Sequence, residues 1–286
     1  MATGRDTAAG VVLAGGRSSR MGRPKAALEW HGSTLLYRTA ALLARTVDGP
    51  VVVVRAPGQD LPPLPGGVEL VEDPREGLGP MQGVAAGLGA VADRAAVAFV
   101  SSTDMPFLHP AYVLRVLGGL ADPGVDLVLP IARGYRQPLA AGYRTALNEL
   151  ITGLVAEGDL RPGMLLRHCT ADLPDDRALL ADAALAANDP DLDSVVNVNT
   201  PEDYAAARAR PVPQVTVECF GALAGSGRRG RRSVAAATLG EAAAAVGLEV
   251  GRHVVGALNG DRIARDPQVP LVTGDVVALL SADAGG

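Results

Sequence analysis

The chain has 286 residues, and because domains commonly run to about 100–200 residues, two domains are expected. Hydrophobic residues make up 48% and charged residues 20%, a balance typical of folded globular proteins rather than disordered ones. The net charge of −5 argues against general binding to nucleic acid or to an anionic membrane. Two distant cysteines give no disulfide framework or zinc site, and without a signal peptide or membrane-spanning stretch a cytoplasmic location is expected.

In the first two-thirds of the chain, short apolar runs alternate with helical patterns. We predict strands over Val11–Leu13, Val51–Val54, Val68–Val71, Ala95–Val100 and Val125–Leu129. We predict helices over Leu35–Arg45, Met81–Ala92 and Pro110–Leu117. Strands that alternate with helices favour an α/β fold with a mostly parallel sheet covered on both faces.

The segment Ala209–Pro213 interrupts this alternation of strand and helix patterns, because its prolines cannot continue a helix. We therefore place a domain boundary there, between domains of residues 1–210 and 211–286. The second domain carries one helical pattern among several strand patterns, with Asn259-Gly260 as a strong hairpin signal. This pattern predicts a compact α+β unit. Its predicted elements are strands Gln214–Phe220, Val254–Leu258 and Val276–Leu280, the helix Thr238–Val246, and a solvated loop at Arg228–Arg232.

The sharpest signal is the glycine-rich loop that runs from Leu13 to Lys25 after a predicted buried strand. Glycines let backbone N–H groups approach phosphate oxygens, and Arg20 and Lys25 can neutralise a polyphosphate. The spacing differs from both the P-loop and the dinucleotide fingerprint. A surface loop with solvated arginines is the alternative, but the position after a strand favours phosphate binding.

Asp104 follows the end of another predicted buried strand, and ligands of open α/β sheets bind at the carboxyl ends of strands. Mg²⁺ is commonly held by one or two carboxylates together with substrate phosphates. A lone Asp in this position also serves as a turn or helix cap. Beside the basic loop, Asp104 is the predicted magnesium ligand.

The run from Leu13 to Lys25 resembles the signature of molybdenum cofactor guanylyltransferases, within the Rossmann-like fold of the nucleotide-diphospho-sugar transferases. Pro24 departs from it, since the family often has Asp before the lysine. Asp104-Met-Pro resembles the family's metal-binding Asp-x-Pro, and the Gly-Pro-x-x-Gly after Asp73 resembles a nucleotide-binding segment. The resemblance covers residues 9 to about 207. The nucleotide-binding residues that it implies are Leu13, Ala14, Gly15, Gly16, Arg20, Lys25, Asp73, Gly79, Pro80, Gly83 and Asp104.

Two later motifs resemble the acceptor side of that family. Gln137-Pro138, followed by Tyr143-Arg144 in a predicted hairpin and helix start, resembles a family motif that often has His at the first position. The run from Asn197 to Asp203 resembles the motif that closes the family domain. Thr200 as N-cap and Pro201 as first helical residue explain part of this run. Asn197 and Asn199, with Gln137 and Pro138, are then the implied acceptor-binding residues.

The activity implied by the resemblance is Mg²⁺-dependent transfer of GMP from GTP to molybdopterin, with release of pyrophosphate. Lys25, Arg20 and Asp104 would stabilise the charge of the transition state. A molybdopterin cytidylyltransferase or a sugar-phosphate nucleotidyltransferase is the alternative within the same class. A non-catalytic nucleotide-binding scaffold that presents a carrier domain is the alternative of another class.

From about Val212 onward the sequence resembles the small subunit of molybdopterin synthase, a ThiS-like sulfur carrier with the β-grasp (ubiquitin-like) fold. The shared features are a first strand, the helix start at Thr238, Asn259-Gly260, the Gly274–Val277 run and a terminal Gly285-Gly286. The resemblance implies that the carboxylate of Gly286 carries sulfur. The implied partners are an activating (adenylating) enzyme and the large subunit of molybdopterin synthase.

Overall fold

The computed structural model describes residues 7–15, 21–22, 24–74, 77–158, 161–225, 228–260 and 262–282. By its internal contacts the chain divides into two units, residues 1–30 with 34–207, and residues 31–33 with 208–286. Over the described ranges, no helix has both the length and the apolar character that crossing a membrane requires.

The first unit is built on a seven-stranded sheet with the order β11-β7-β10-β6-β1-β4-β5. The pairs β1–β4, β1–β6, β4–β5 and β7–β11 are parallel, whereas β10 runs antiparallel to β6 and β7. This confirms the α/β class with a mostly parallel central sheet. The seven strands of this sheet are β1 Ala8–Leu13, β4 Val51–Arg55, β5 Glu69–Glu72, β6 Val97–Ser102, β7 Leu127–Val128, β10 Ala140–Arg144 and β11 Ala171–Asp172. Four short strands lie outside it, namely β2 Glu29–Trp30, β3 Ser33–Thr34, β8 Ile131–Ala132 and β9 Tyr135–Arg136.

Seven α-helices accompany the described strands of this unit, and α1, α2 and α3 among them pack directly on the sheet. The central strands β1, β4 and β6 are buried on both faces, as expected for parallel strands with helices on each side. One core cluster joins Val11 and Val100 of the sheet to Leu88 of α2 and Ile151 of α4. The helices are α1 Leu35–Thr46, α2 Pro80–Val91, α3 Pro110–Gly118, α4 Leu147–Ala156, α5 Asp176–Leu180, α6 Ala183–Asn188 and α7 Pro201–Arg208.

Helix α2 lies very close to β1, and glycines make that approach possible. A Cβ atom at Gly87 would overlap the side chain of Val11. Exposed Gly89, on the same helix, would place its Cβ 3.9 Å from Asn148. We expect Gly87→Ala to destabilise the protein by about 1–3 kcal/mol through overpacking. Gly89→Ala should be neutral or stabilising by about 0.5–1 kcal/mol, because alanine favours the helix.

Urea unfolding of both variants, followed by circular dichroism, tests this packing. Since the two changes are chemically identical, the comparison isolates the contact with β1. Equal stability of the two variants would contradict the close packing of α2 on the sheet.

The second unit has a five-stranded sheet with the order β13-β12-β16-β14-β15 and one α-helix among its described residues. The neighbours β12 and β16 are parallel, and the other pairs are antiparallel. Asn259 and Gly260 both have positive φ (53° and 89°), a conformation that Asn and Gly adopt more readily than other residues. The hairpin predicted there is present, but Leu258 pairs with Arg262, so the connection is one residue longer than a two-residue turn. The elements are β12 Gln214–Cys219, β13 Arg231–Ala235, α8 Leu239–Ala244, β14 Val254–Leu258, β15 Arg262–Ala264 and β16 Val276–Ser281.

Helix α8 covers one face of this sheet and begins at a complete N-terminal cap. Thr238 Oγ1 accepts from the Glu241 N–H at 3.2 Å, and Glu241 Oε2 accepts from the Ala237 N–H at 2.7 Å. Leu239 is buried against Gly256 of β14, where a Cβ would lie 2.6 Å from its Cδ1 atom. The unit therefore has its own apolar core beneath a single helix.

Two sequence-based expectations are wrong in detail. Tyr143 and Arg144 do not begin a helix, because they end strand β10, which pairs with β6 and buries Tyr143 in the core. Arg231 and Arg232 are not in a loop but open the edge strand β13, where pairing with β12 leaves their side chains exposed. In both places tertiary pairing overrides a weak local signal.

Candidate active site

A cavity of about 910 Å³ opens in the first unit at the carboxyl ends of β1, β4, β5 and β6. Crevices at this edge of open α/β sheets bind ligands, because several loops converge there. All nine of the predicted nucleotide-binding residues that the structure describes line this one cavity together. They are Leu13, Ala14, Gly15, Lys25, Asp73, Gly79, Pro80, Gly83 and Asp104.

The described parts of the glycine-rich loop form one wall. The Ala14 N–H donates to the Val54 carbonyl at 2.8 Å, which continues the sheet pairing one residue beyond β1. Gly22 has a φ of +69°, a conformation that favours glycine. The predicted residues Gly16 and Arg20 lie outside the described residues, so their roles stay predictions.

Lys25 and Asp104 form an ion pair on the cavity wall, with 2.8 Å between Nζ and Asp104 Oδ2. The side chains are 20% and 16% exposed, so both face the cavity from a partly buried position. Lys25 Nζ also donates to Asn199 Oδ1 at 2.7 Å, and Ser102 Oγ donates to Asp104 Oδ1. A cation and a carboxylate thus lie side by side next to the glycine-rich loop.

Lys25 is the only lysine of the chain, and the other 25 basic residues among the 26 Lys and Arg are arginines. An ammonium group is a compact point charge with freely rotating donors, whereas guanidinium is a planar fork. Lys25 begins a 3₁₀ turn, Lys25–Ala27, and the following Leu28 and Trp30 are buried in a core cluster. The apolar anchor behind the turn fixes where the ammonium group reaches the cavity.

Asn199 is held in place by the cap of helix α7. The Asp203 carboxylate accepts from the N–H groups of Asn199 at 3.0 Å and Thr200 at 2.9 Å, and Thr200 Oγ1 accepts from the Asp203 N–H. These backbone donors hold the pKa of Asp203 below its ordinary value, so the cap stays charged until the pH falls through that lowered pKa. The predicted N-cap role of Thr200 is confirmed.

The opposite wall is formed by Asp73 and the start of α2. Gly79, the N-cap residue, has a φ of +74°, and Pro80 occupies the first helical position. A Cβ at Gly83 would lie 3.3 Å from Leu13 and 3.8 Å from Asp73 Oδ2. The absence of a side chain at Gly83 therefore keeps the space between Leu13 and Asp73 open.

The predicted acceptor-binding residues do not line the cavity together as the nucleotide-binding residues do. The Gln137 side chain is buried and donates to the Ala132 carbonyl at 3.1 Å, and the Pro138 carbonyl accepts from the Tyr143 hydroxyl at 2.8 Å. Both therefore support local structure, and it is the following residue, Leu139, that lines the cavity. Asn197 donates to the Val195 carbonyl at 3.3 Å. Of the four residues, Asn199 alone is hydrogen-bonded to Lys25 among the described contacts.

The sequence reasoning missed the loop that follows β4. Arg55, the last residue of β4, lines the cavity together with the first four residues of this loop, namely Ala56, Pro57, Gly58 and Gln59. Apart from Arg55 these residues carry no charged side chain, so their residue types did not predict a binding role. The available signal was positional, because a loop after a strand next to β1 must reach the same crevice.

Comparison with known proteins agrees with this geometry. Residues 10–172 match the model of the MobA-like NTP transferase domain. Over 202 residues the chain is 38% identical to a probable molybdenum cofactor guanylyltransferase of Mycobacterium ulcerans, covering 69% of this chain and 92% of that protein. A protein of the same name from Mycobacterium tuberculosis is 39% identical over 161 residues, which are 55% of this chain and 78% of that protein.

The fold has solved counterparts. The crystal structure of molybdopterin-guanine dinucleotide biosynthesis protein A from Archaeoglobus fulgidus superposes with a TM-score of 0.55 at 21% identity. The match covers 70% of this chain and 96% of that protein.

The class of protein follows from the site and from these relatives together. The site combines a glycine-rich loop, a lysine and a carboxylate at the carboxyl ends of parallel strands. The chain is a nucleotidyltransferase. It belongs to the MobA-like NTP transferase family, which includes the molybdenum cofactor guanylyltransferases.

Proposed function

We propose that the first unit transfers GMP from GTP to the terminal phosphate of molybdopterin and releases pyrophosphate. The observation that carries this proposal is the Lys25–Asp104 pair on a glycine-lined cavity large enough for a nucleotide. The names of the mycobacterial relatives supply the identity of the nucleotide and the acceptor.

The chemistry needs no side-chain nucleophile, because a phosphate oxygen of the acceptor is already anionic near neutral pH. That oxygen forms a bond to the α-phosphorus of GTP. The bond from this phosphorus to the bridging oxygen breaks, and pyrophosphate leaves with the electron pair. The protein has to align attacking and leaving groups and offset the negative charge that they share. Lys25 supplies one positive charge there, and Arg20 is proposed to supply another.

Asp104 is the residue proposed to hold Mg²⁺. No cluster of three or more potential metal ligands occurs among the residues that the structure describes. A site made of one carboxylate and the nucleotide phosphates suits Mg²⁺, which keeps several waters and dehydrates reluctantly. Asp104 Oδ2 lies at the cavity wall beside Lys25, so its carboxylate fits this arrangement. When bound, the metal would neutralise charge on the phosphates.

The acceptor is proposed to approach from the side of Asn199, with Asn197, Gln137 and Pro138 on that side of the site. The contact between Asn199 Oδ1 and Lys25 Nζ supports this placement, because it puts an acceptor-side residue next to the charge that faces the phosphates. Gln137 and Pro138 would then shape this side through the backbone that leads to Leu139.

We expect GTP to be preferred over CTP, with activity that depends on Mg²⁺. Transfer with GTP, CTP and a sugar phosphate acceptor in parallel separates the guanylyl, cytidylyl and sugar-phosphate alternatives. Isotopic exchange of pyrophosphate into each nucleotide, measured in the presence of the acceptor and with and without a chelator, gives the preference and the metal requirement. A clear preference for CTP would overturn the guanylyl assignment, and no turnover with any nucleotide would favour a non-catalytic scaffold.

We further propose that the second unit is a β-grasp sulfur-carrier domain. Its strand order β13-β12-β16-β14-β15, with the first and last strands parallel at the centre and one helix across the sheet, is the observation that favours this. The sulfur would be carried by the carboxylate of Gly286, which lies outside the described residues. An activating enzyme and the large subunit of molybdopterin synthase would be its partners.

A further inference from the structure

The strand order divides the cavity into a phosphate end and a nucleoside end. Asp104 follows β6, and Lys25 pairs with it there. The sheet continues in the order β6-β1-β4-β5, so β5 stands three strand spacings, about 14 Å, from β6. A nucleoside triphosphate with its phosphates at Lys25 would therefore extend toward the loops that follow β4 and β5. This step rests on the proposed function.

The wall at the nucleoside end is the segment Arg55–Gln59, which runs from the last residue of β4 into the loop that follows. Its central residues Ala56, Pro57 and Gly58 have no polar side chains. Hydrogen bonds from this segment to a base would therefore come from main-chain groups, and their strength depends steeply on distance and angle. Whatever fixes the position of this backbone controls how well it fits one base rather than another.

Gln59 makes the contacts that fix this backbone. Its Oε1 accepts from the Ala56 N–H at 3.0 Å, and its own N–H donates to the Ala56 carbonyl at 3.1 Å. Its Nε2 donates to the Ala14 carbonyl at 3.0 Å, which joins the segment to the glycine-rich loop. Arg55 Nη1 adds a hydrogen bond to the Gln59 carbonyl at 3.1 Å. A Cβ at Gly15 would lie 3.4 Å from the Ala56 nitrogen, so the two walls are already in close contact.

We propose that Gln59 is a positioning residue that sets nucleotide-base selectivity, by holding the backbone of residues 56–58 at a fixed distance from the glycine-rich loop. It acts through the segment, because its side-chain hydrogen bonds go to backbone atoms of Ala56 and Ala14 and not to Lys25 or Asp104. Loss of its side chain leaves the Ala56 N–H and the Ala14 carbonyl without these partners and lets the two walls separate. Lys25 and Asp104, beside β6, keep their ion pair, so the phosphate end loses no charge.

Binding constants of GTP, CTP and inorganic tripolyphosphate, measured calorimetrically with Mg²⁺, test this role in the full-length protein. Gln59→Ala removes both side-chain hydrogen bonds. Gln59→Glu keeps an acceptor for the Ala56 N–H but places a second acceptor against the Ala14 carbonyl. Asp60→Ala is the matched control, because Asp60 is the exposed next residue.

We expect both Gln59 variants to lower the ratio of GTP to CTP affinity by about tenfold, with tripolyphosphate binding changed by less than about twofold. Asp60→Ala should leave all three affinities unchanged. An unchanged GTP-to-CTP ratio would overturn the proposal, and so would an equal loss of GTP and tripolyphosphate binding, since that indicates general loosening. If the wild-type protein prefers another nucleotide, the guanylyl assignment fails, while the same ratio for that preferred nucleotide still tests Gln59.

Discussion

Replacing Lys25 by alanine is expected to lower the rate of nucleotidyl transfer by about 100–1,000-fold, the usual cost of losing one preorganised electrostatic contact. The ammonium group is the only lysine charge in the chain, and it faces the cavity beside Asp104. Its side chain is 20% exposed and contributes charge rather than core packing, so the fold should remain intact. Steady-state kinetics with GTP and the acceptor measure the effect.

Asp104→Ala should cause a loss of the same order, about 100–1,000-fold, because the carboxylate orients Lys25 and is the proposed metal ligand. Asp104→Asn is the informative companion. It keeps the size of the side chain and an oxygen for the Ser102 hydroxyl but removes the charge. If charge is what matters, the amide should be nearly as inactive as the alanine variant.

A binding measurement that needs no turnover complements these rates. Since Lys25 is the single lysine, an amine-reactive reagent can label only its ε-amine and the amino terminus of the chain. GTP should protect Lys25 from labelling, as read by peptide mass. Lys25→Arg serves as the control, because it keeps a positive charge while removing the labelled amine. Wild-type activity in the Lys25→Ala or Asp104→Ala variant, or labelling that GTP does not slow, would contradict the assignment of this site.

The site residues that could be predicted from the sequence are those whose type and position indicate a chemical role. Lys25 and Asp104 are 79 positions apart in the sequence, yet each follows a buried strand, and neighbouring parallel strands bring such positions together. Gln59 could not be found in this way. Its function depends on two hydrogen bonds to backbone atoms of other loops, and no pattern of residue types encodes them.

The elements of the fold likewise include some that the sequence predicts and some that it does not. Strand β4 and helix α1 were predicted to within one residue, because long apolar runs and clear caps define them. Strand β10 was missed because its sequence, Ala-Ala-Gly-Tyr-Arg, has little local strand preference. It is a strand because β6 and β7 pair with it on both sides and bury Tyr143 between the layers. Pairing across the sheet, rather than local propensity, determines the secondary structure of such segments.

Deleting Gly286 is expected to abolish the second proposed activity entirely. Incubation of the full-length protein with an activating enzyme, ATP and a sulfur donor should first form an acyl adenylate at the terminal carboxylate, with release of pyrophosphate. Sulfide supplied by the donor then attacks the acyl carbon, the acyl–oxygen bond to AMP breaks, and a thiocarboxylate remains. Intact mass spectrometry should record the replacement of one oxygen by one sulfur in the wild-type protein. The shift should vanish in the variant, because the last carboxylate then lies one residue too early.

The strand order of the second unit is the physical ground for expecting this chemistry at the terminus. The last described strand, β16, is central in the sheet, and its backbone is held on both sides by β12 and β14. The final residues Gly285 and Gly286 follow it closely, and a segment without side chains can enter a narrow active site of a partner. The four residues before these glycines differ from the carrier family, which usually has prolines and a valine there. In this chain they are Ser281, Ala282, Asp283 and Ala284. If a competent activating enzyme produces no mass shift, this terminus is not a carrier. Replacing residues 281–284 by the family's sequence then tests whether these four residues prevent docking.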